Sequence, residues 1–72
     1  MSNVIARHDT VIFELHCNWF NELFYIVQDV MADAFESIEF SRWDGAQERA
    51  AYERAARFYN SLVPADECIP LF

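Results

Sequence analysis

The 72-residue chain reads as a small all-α domain: two main helices, a short N-terminal segment and an apolar C-terminal tail. Three observations predict this. Apolar residues make up 54% of the chain and aromatics 17%, which suits one modest core and not a disordered acidic tail. Gly45, Pro64 and Pro70 are the only glycine and prolines, so no breaker falls between Thr10 and Phe40. Within that stretch, polar and apolar residues separate when each is advanced by about 100°, the helical step. The length allows a single domain over residues 1–72.

The first helix begins after Asp9, whose carboxylate suits an N-cap. Glu14, Asn18, Asn21, Glu22, Tyr25, Gln28, Asp29, Ala32, Asp33, Glu36 and Glu39 fall within an arc of roughly 140°. Phe13, His16, Trp19, Phe20, Leu23, Phe24, Ile26, Val27, Val30, Met31, Ala34, Phe35 and Ile38 occupy the other side. The aromatics of this stripe, Phe13, Trp19, Phe20, Phe24 and Phe35, are expected in the core. A rival local pattern exists: Ser37–Ser41 alternates polar and apolar, and Val11–His16 is β-branched enough to pair with it. A mixed α+β structure is therefore the alternative.

The second helix is delimited more sharply. Asp44 and Gln47 form a capping-box pattern, and residues 46–62 are rich in Ala and Arg. Tyr52, Ala55, Tyr59 and Leu62 share one face with Ala51 and Phe58, while Arg49, Glu53 and Arg57 run along another. Val63 precedes Pro64, whose ring disfavours helix in the residue before it. Ile69, Leu71 and Phe72 are expected to fold back over the helices. Apolar surface left uncovered by so short a partner helix would be buried in a homodimer or by a partner protein.

The charge is the least ordinary feature. Five Arg, no Lys and twelve acids give −7. Residues 8–41 contain seven of the acids and no Arg or Lys, while the rest of the chain is nearly neutral. On a helix, Asp29, Asp33, Glu36 and Glu39 are like-charge neighbours, together destabilising by about 1 kcal/mol. A face with no task normally intersperses signs, as the second helix does. Glu14, Glu22, Asp29, Asp33, Glu36 and Glu39 would span about 37 Å of a straight helix, at intervals comparable to those of phosphates on a nucleic-acid strand. They are the candidate partner-binding residues. The partner they suggest is a basic nucleic-acid-binding protein; the competing explanation is a merely solubilising face.

Other chemistries are excluded or set aside. An acidic chain is a poor direct ligand for nucleic acid or for an anionic membrane surface. The apolar run from Trp19 to Val27 is far shorter than a bilayer span, and the start of the chain lacks a secretory pattern, so a cytoplasmic protein with two reduced, mostly buried thiols is expected. The acids at 29, 33, 36 and 39 resemble a Mg²⁺ cluster, but such sites usually draw inward-facing acids from several helices. His8, His16, Cys17 and Cys68 lack zinc-ligand spacing, adjacent His16 and Cys17 diverge on a helix, and one glycine cannot build a phosphate loop. No cofactor, no metal and no enzymatic activity are expected.

In size, in its −7 balance and in the acidic row Glu14, Glu22, Asp29, Asp33, Glu36, Glu39, the chain resembles the small acidic anti-CRISPR proteins of phages and mobile elements. The resemblance is one of character, without a shared motif. It implies a non-enzymatic inhibitor in the cytoplasm of a host bacterium, occupying the nucleic-acid groove of a defence complex such as a CRISPR effector. The alternative is a helical interaction or oligomerisation module, an adaptor or antitoxin-like partner, that binds through its aromatic face.

Overall fold

Residues 2–40 alternate rather than spiral. In the computed structural model, which describes residues 2–71, they form four strands: β1 (Ser2–His8), β2 (Val11–Cys17), β3 (Leu23–Asp29) and β4 (Ala34–Phe40). One helix, α1 (Gly45–Leu62), and a short 3-10 turn at Ala65–Glu67 complete the chain. The strands pair antiparallel in sequence order, β1-β2-β3-β4, and α1 packs across β2, β3 and β4 on one side. The expected all-α fold of two main helices is therefore overturned: the first helix is a β-meander, and Asp9 is a turn residue, not an N-cap.

The physical reason lies in the turns. The three hairpin connections contain two, five and four residues and no glycine. Each instead uses an Asp or Asn in the left-handed region: Asp9 at φ 56°, Asn21 at φ 67° and Asp33 at φ 54°. Their short polar side chains make that conformation tolerable where most residues resist it. A stretch without Gly or Pro can thus still reverse direction three times.

Alternation then decides what is buried. Val11, Phe13 and Leu15 of β2, Leu23, Tyr25 and Val27 of β3, and Ile38 and Phe40 of β4 belong to the core under α1. Phe13 is 0% exposed. Its ring meets Tyr25 edge-on at a centroid distance of 5.9 Å and lies 5.4 Å from Tyr52 and 6.1 Å from Tyr59. Tyr25 in turn stacks on Phe40 at 4.6 Å. The helix contributes Ala51, Ala55 and Ala56, whose small side chains let its axis approach the sheet, with Tyr59 filling the space between.

The helix itself follows the sequence closely. The Asp44 carboxylate accepts the Gln47 N–H at 3.1 Å. The Gln47 side chain reaches back to the Ser41 N–H, so this cap also pins the loop from β4. Val63 is extended, at φ −120° and ψ 160°, directly before Pro64. The Asn60 amide then clasps the tail, donating to the Ile69 carbonyl at 2.9 Å and accepting the Ile69 N–H at 2.8 Å. Ile69 and Leu71 pack against the core, and Phe72 lies outside the described residues.

Candidate interaction surfaces

The most exposed aromatic side chains gather at one end of the sheet, while Val30 and Met31 stand exposed at the other. The β2–β3 connection is a closed loop built by Asn18, whose carboxamide oxygen accepts the N–H groups of Phe20 (3.0 Å) and Glu22 (2.9 Å). Its amide donates to the Glu22 carboxylate at 2.9 Å, and backbone bonds join Asn18 to Glu22 and Asn21 to Asn18. So held, the loop lifts Trp19 and Phe20 into solvent, 92% and 74% exposed, with their rings edge-to-face at 5.7 Å. Leu23 pairs with Phe40, so the loop after β4 emerges at the same end and carries Trp43, 89% exposed. Arg42 ties the two loops together: its guanidinium donates to the Asn21 carbonyl at 2.9 Å and to the Asn21 side-chain oxygen at 2.8 Å. A shallow depression of about 240 Å³ lies between them, lined among others by Glu22, Glu39, Arg42 and Trp43.

A second surface is the side of the sheet away from α1. The register places Arg7, Ile12, Gln28 and Phe35 in one row across the strands, Val4, Glu14, Ile26 and Ser37 in the next, and Ser2, His16, Phe24 and Glu39 in the third. No element covers this face among the described residues. Phe35 is 63% exposed there, and the His16 ring lies 6.4 Å from that of Phe24.

The six acids taken from the sequence as one row are thereby dispersed. Glu14 and Glu39 stand on the open sheet face, on different strands. Glu22 closes the aromatic loop. Asp33 holds a left-handed position in the β3–β4 turn, at the opposite end. Glu36 faces the helix side and pairs with Arg54 at 2.9 Å. Asp29 works inside the structure: its carboxylate accepts the Thr10 hydroxyl at 2.6 Å and the N–H groups of Met31 (3.1 Å) and Ala32 (3.4 Å), joining two hairpin turns. The Thr10 hydroxyl, helped by the two N–H groups, holds its carboxyl below the usual carboxylate value of 3.8. The adjoining turns cover nearly all of the residue, yet the carboxylate is shallow, so hydrogen bonding outweighs desolvation. The helical stripe of about 37 Å does not exist.

The aromatic end was missed because Trp19 and Phe20 fit an apolar helical side and Trp43 sat between elements. A signal was present: two large aromatics flanked by Asn18 and Asn21, both turn formers. The thiols also differ from expectation. Neither cysteine is in a disulfide, but Cys68 is exposed, and half-buried Cys17 donates to the Asn21 carboxamide oxygen at 3.4 Å.

A second depression, about 390 Å³, is lined by Tyr25, Gly45, Glu48, Arg49 and Tyr52. The Tyr25 hydroxyl donates to Glu48 at 3.2 Å; burial, and then the Glu48 charge, push this phenol up to about 12. It therefore stays neutral at physiological pH and is a poor proton donor. Among the described residues no group of three or more His, Cys, Asp or Glu side chains could hold a metal ion. Nor is any helix among them long and apolar enough to cross a membrane.

Fold and surfaces together define a four-stranded antiparallel meander backed by one helix, with exposed aromatics on hydrogen-bonded loops at one end. Compared with known proteins, the chain matches no family model, no curated protein and no solved structure.

Proposed function

We propose that the protein is a non-enzymatic inhibitor that docks by its aromatic end on a basic, nucleic-acid-binding protein and blocks its groove. The observation that carries this reading is the pairing of Trp19, Phe20 and Trp43, borne on loops closed by Asn18 and joined by the Arg42–Asn21 clasp, with the carboxylates of Glu22 and Glu39 beside them. Aromatic side chains on preorganised loops lose less entropy on binding and make strong anchors. In a groove built for nucleic acid, carboxylates can stand where phosphates bind and aromatic rings where bases stack. The net charge of −7 would speed approach to such a partner. The target class suggested by the resemblance to small acidic anti-CRISPR proteins is a CRISPR effector in the bacterial cytoplasm.

The test is competition. Purified CRISPR effector complexes are assayed for target-DNA binding with and without the protein, and with Trp19→Ala, Trp43→Ala and the double reversal Glu22→Lys/Glu39→Lys. Inhibition by the wild type that each variant weakens at least tenfold supports the reading. Inhibition unchanged in all three would sink it. The uncovered sheet face favours a second reading, an interaction or oligomerisation module. In that case Phe24 and Phe35 would be the sensitive positions instead.

A further inference from the structure

The two edges of the sheet are not alike. β1 carries a bulge between Val4 and Ala6, which twists and interrupts its outer backbone, and it presents Arg7. Bulges, prolines and charged side chains, lysine above all, are the ordinary means by which an edge is kept from pairing with another chain. β4 has no bulge, and of its two charges Glu36 is paired with Arg54, which leaves Glu39 alone. Its seven residues, AFESIEF, pair with β3 in unbroken register and contain no Pro, Lys or Arg. Apart from their ladder to β3, the backbone groups of Ala34–Phe40 make no hydrogen bond among the described residues. The outward N–H and C=O groups of alternate β4 residues therefore form a strand-length template without a partner.

We infer that this edge pairs with the β4 edge of a second copy, giving an eight-stranded antiparallel sheet with a two-fold axis through Ser37. The sequence of the strand selects that occupant. Antiparallel self-pairing about Ser37 sets Phe35 opposite Glu39, Glu36 opposite Ile38 and Ala34 opposite Phe40 of the second copy. No carboxylate then faces a carboxylate directly, although the strand has two. Shifting the centre to Ile38 would set Glu36 opposite Phe40 and Glu39 opposite Ser37 and leave Ala34 and Phe35 without strand partners, shortening the ladder from seven residues to five. The nearest like charges in the Ser37-centred register are the two Glu36 side chains, on a diagonal, and each is already paired with its own Arg54. On the axis, two Ser37 hydroxyls meet, both able to donate and accept. The inference is independent of the inhibitor reading, which uses the loops at the end of the sheet and not its edge.

The experiment measures mass by sedimentation equilibrium from about 1 to 200 µM for the wild type and for Ser37→Lys. Ser37 is exposed on the open face, so the variant monomer folds, which far-UV circular dichroism verifies. A concentration-dependent dimer whose dissociation constant rises at least tenfold in Ser37→Lys is expected. A second variant, Ser37→Cys, should form a 37–37 crosslink on mild oxidation, identified by peptide mapping, because the two-fold axis brings those positions together. A wild type that remains monomeric at 200 µM overturns the inference. So does a dimer indifferent to Ser37→Lys that gives no 37–37 crosslink, which would place the contact on the open sheet face or elsewhere.

Discussion

Phe13 and Phe35 offer a sharp test of the sheet's two sides. On the helix that the sequence suggests, both residues belong to one apolar side and their truncation would have similar effects. In the structure they are on opposite sides: Phe13 is 0% exposed and touches three tyrosine rings, whereas Phe35 is 63% exposed on the uncovered face. Replacing a fully buried Phe by Ala typically destabilises by about 3–5 kcal/mol. A 72-residue domain has a total of about 4–11 kcal/mol at the usual 0.05–0.15 per residue, so Phe13→Ala will be at the border of unfolding. Phe13→Leu, which retains most of the volume, is the measurable variant and should lose about 1–2 kcal/mol. Phe35→Ala removes only about a third of a buried ring's contribution, hence under about 1 kcal/mol. Urea melts in the Ser37→Lys background, where the inferred edge pairing is blocked, give both values from the midpoints at constant slope. Equal losses at the two positions, or a larger one at Phe35, would refute the assignment of faces.

Four further outcomes follow from individual contacts. Asp29 has a lowered carboxyl pKa in the folded state, so its contribution to stability is present above the unfolded value near 3.8 and fades as pH falls through the folded one. Asp29→Asn should flatten that acid limb of a melting-temperature profile between pH 5 and 2, and Thr10→Val should flatten it partly. Tyr25 has the opposite sign: a phenol pushed up to about 12 stabilises fully below the unfolded value of 10 and loses that contribution between pH 10 and 12. Absorbance titration at 295 nm should show Tyr25 and Tyr59, whose phenol is also raised by burial, ionising late, and Tyr25→Phe should remove one of the two. Asp33→Gly should be neutral or mildly stabilising, because φ is 54°, whereas Asp33→Val should destabilise by about 1–2 kcal/mol in a urea melt. Arg54→Ala breaks an ion pair whose arginine is largely exposed, and its thermal melt should move by no more than about 1 kcal/mol equivalent.

How much of this was legible follows from where the local signals were unambiguous. Helix α1 was readable from end to end because its cap, its alanine-rich face and the Val63–Pro64 stop agree. The meander was not, for two reasons. Ile12, Phe24 and Ile26 are apolar residues on the uncovered side, so alternation in β2 and β3 is blurred and mimics a helical stripe. And Asp9, Asn21 and Asp33 turn the chain without glycine, so an absence of breakers was no evidence of continuity. The one stretch with clear alternation, Ser37–Ser41, did lie mainly in a strand, β4. Of the candidate site, the acids were visible as residues but not as a surface, since their grouping depended on the wrong period.

That regrouping changes the electrostatics expected of any complex. Residues 8–41 hold seven acids, yet the fold employs several of them internally. Asp9 and Asp33 occupy left-handed turn positions, Asp29 secures two turns, and Glu36 is neutralised by Arg54. Asp9 and Asp33 keep exposed side chains but lie at the far end of the sheet, and of Glu14, Glu22 and Glu39 only Glu22 and Glu39 border the aromatic end. A six-carboxylate phosphate mimic would bind with a steep dependence on salt, each neutralised charge adding close to one to the slope of log affinity against log salt. Two or three carboxylates beside a tryptophan anchor should give at most about half that slope, with apolar burial supplying the salt-insensitive remainder. Binding measured from 50 to 500 mM salt distinguishes the cases. A slope as steep as six charges require would mean that the acids of the turns and of the Arg54 pair also engage the partner, and that the aromatic end is not the principal anchor.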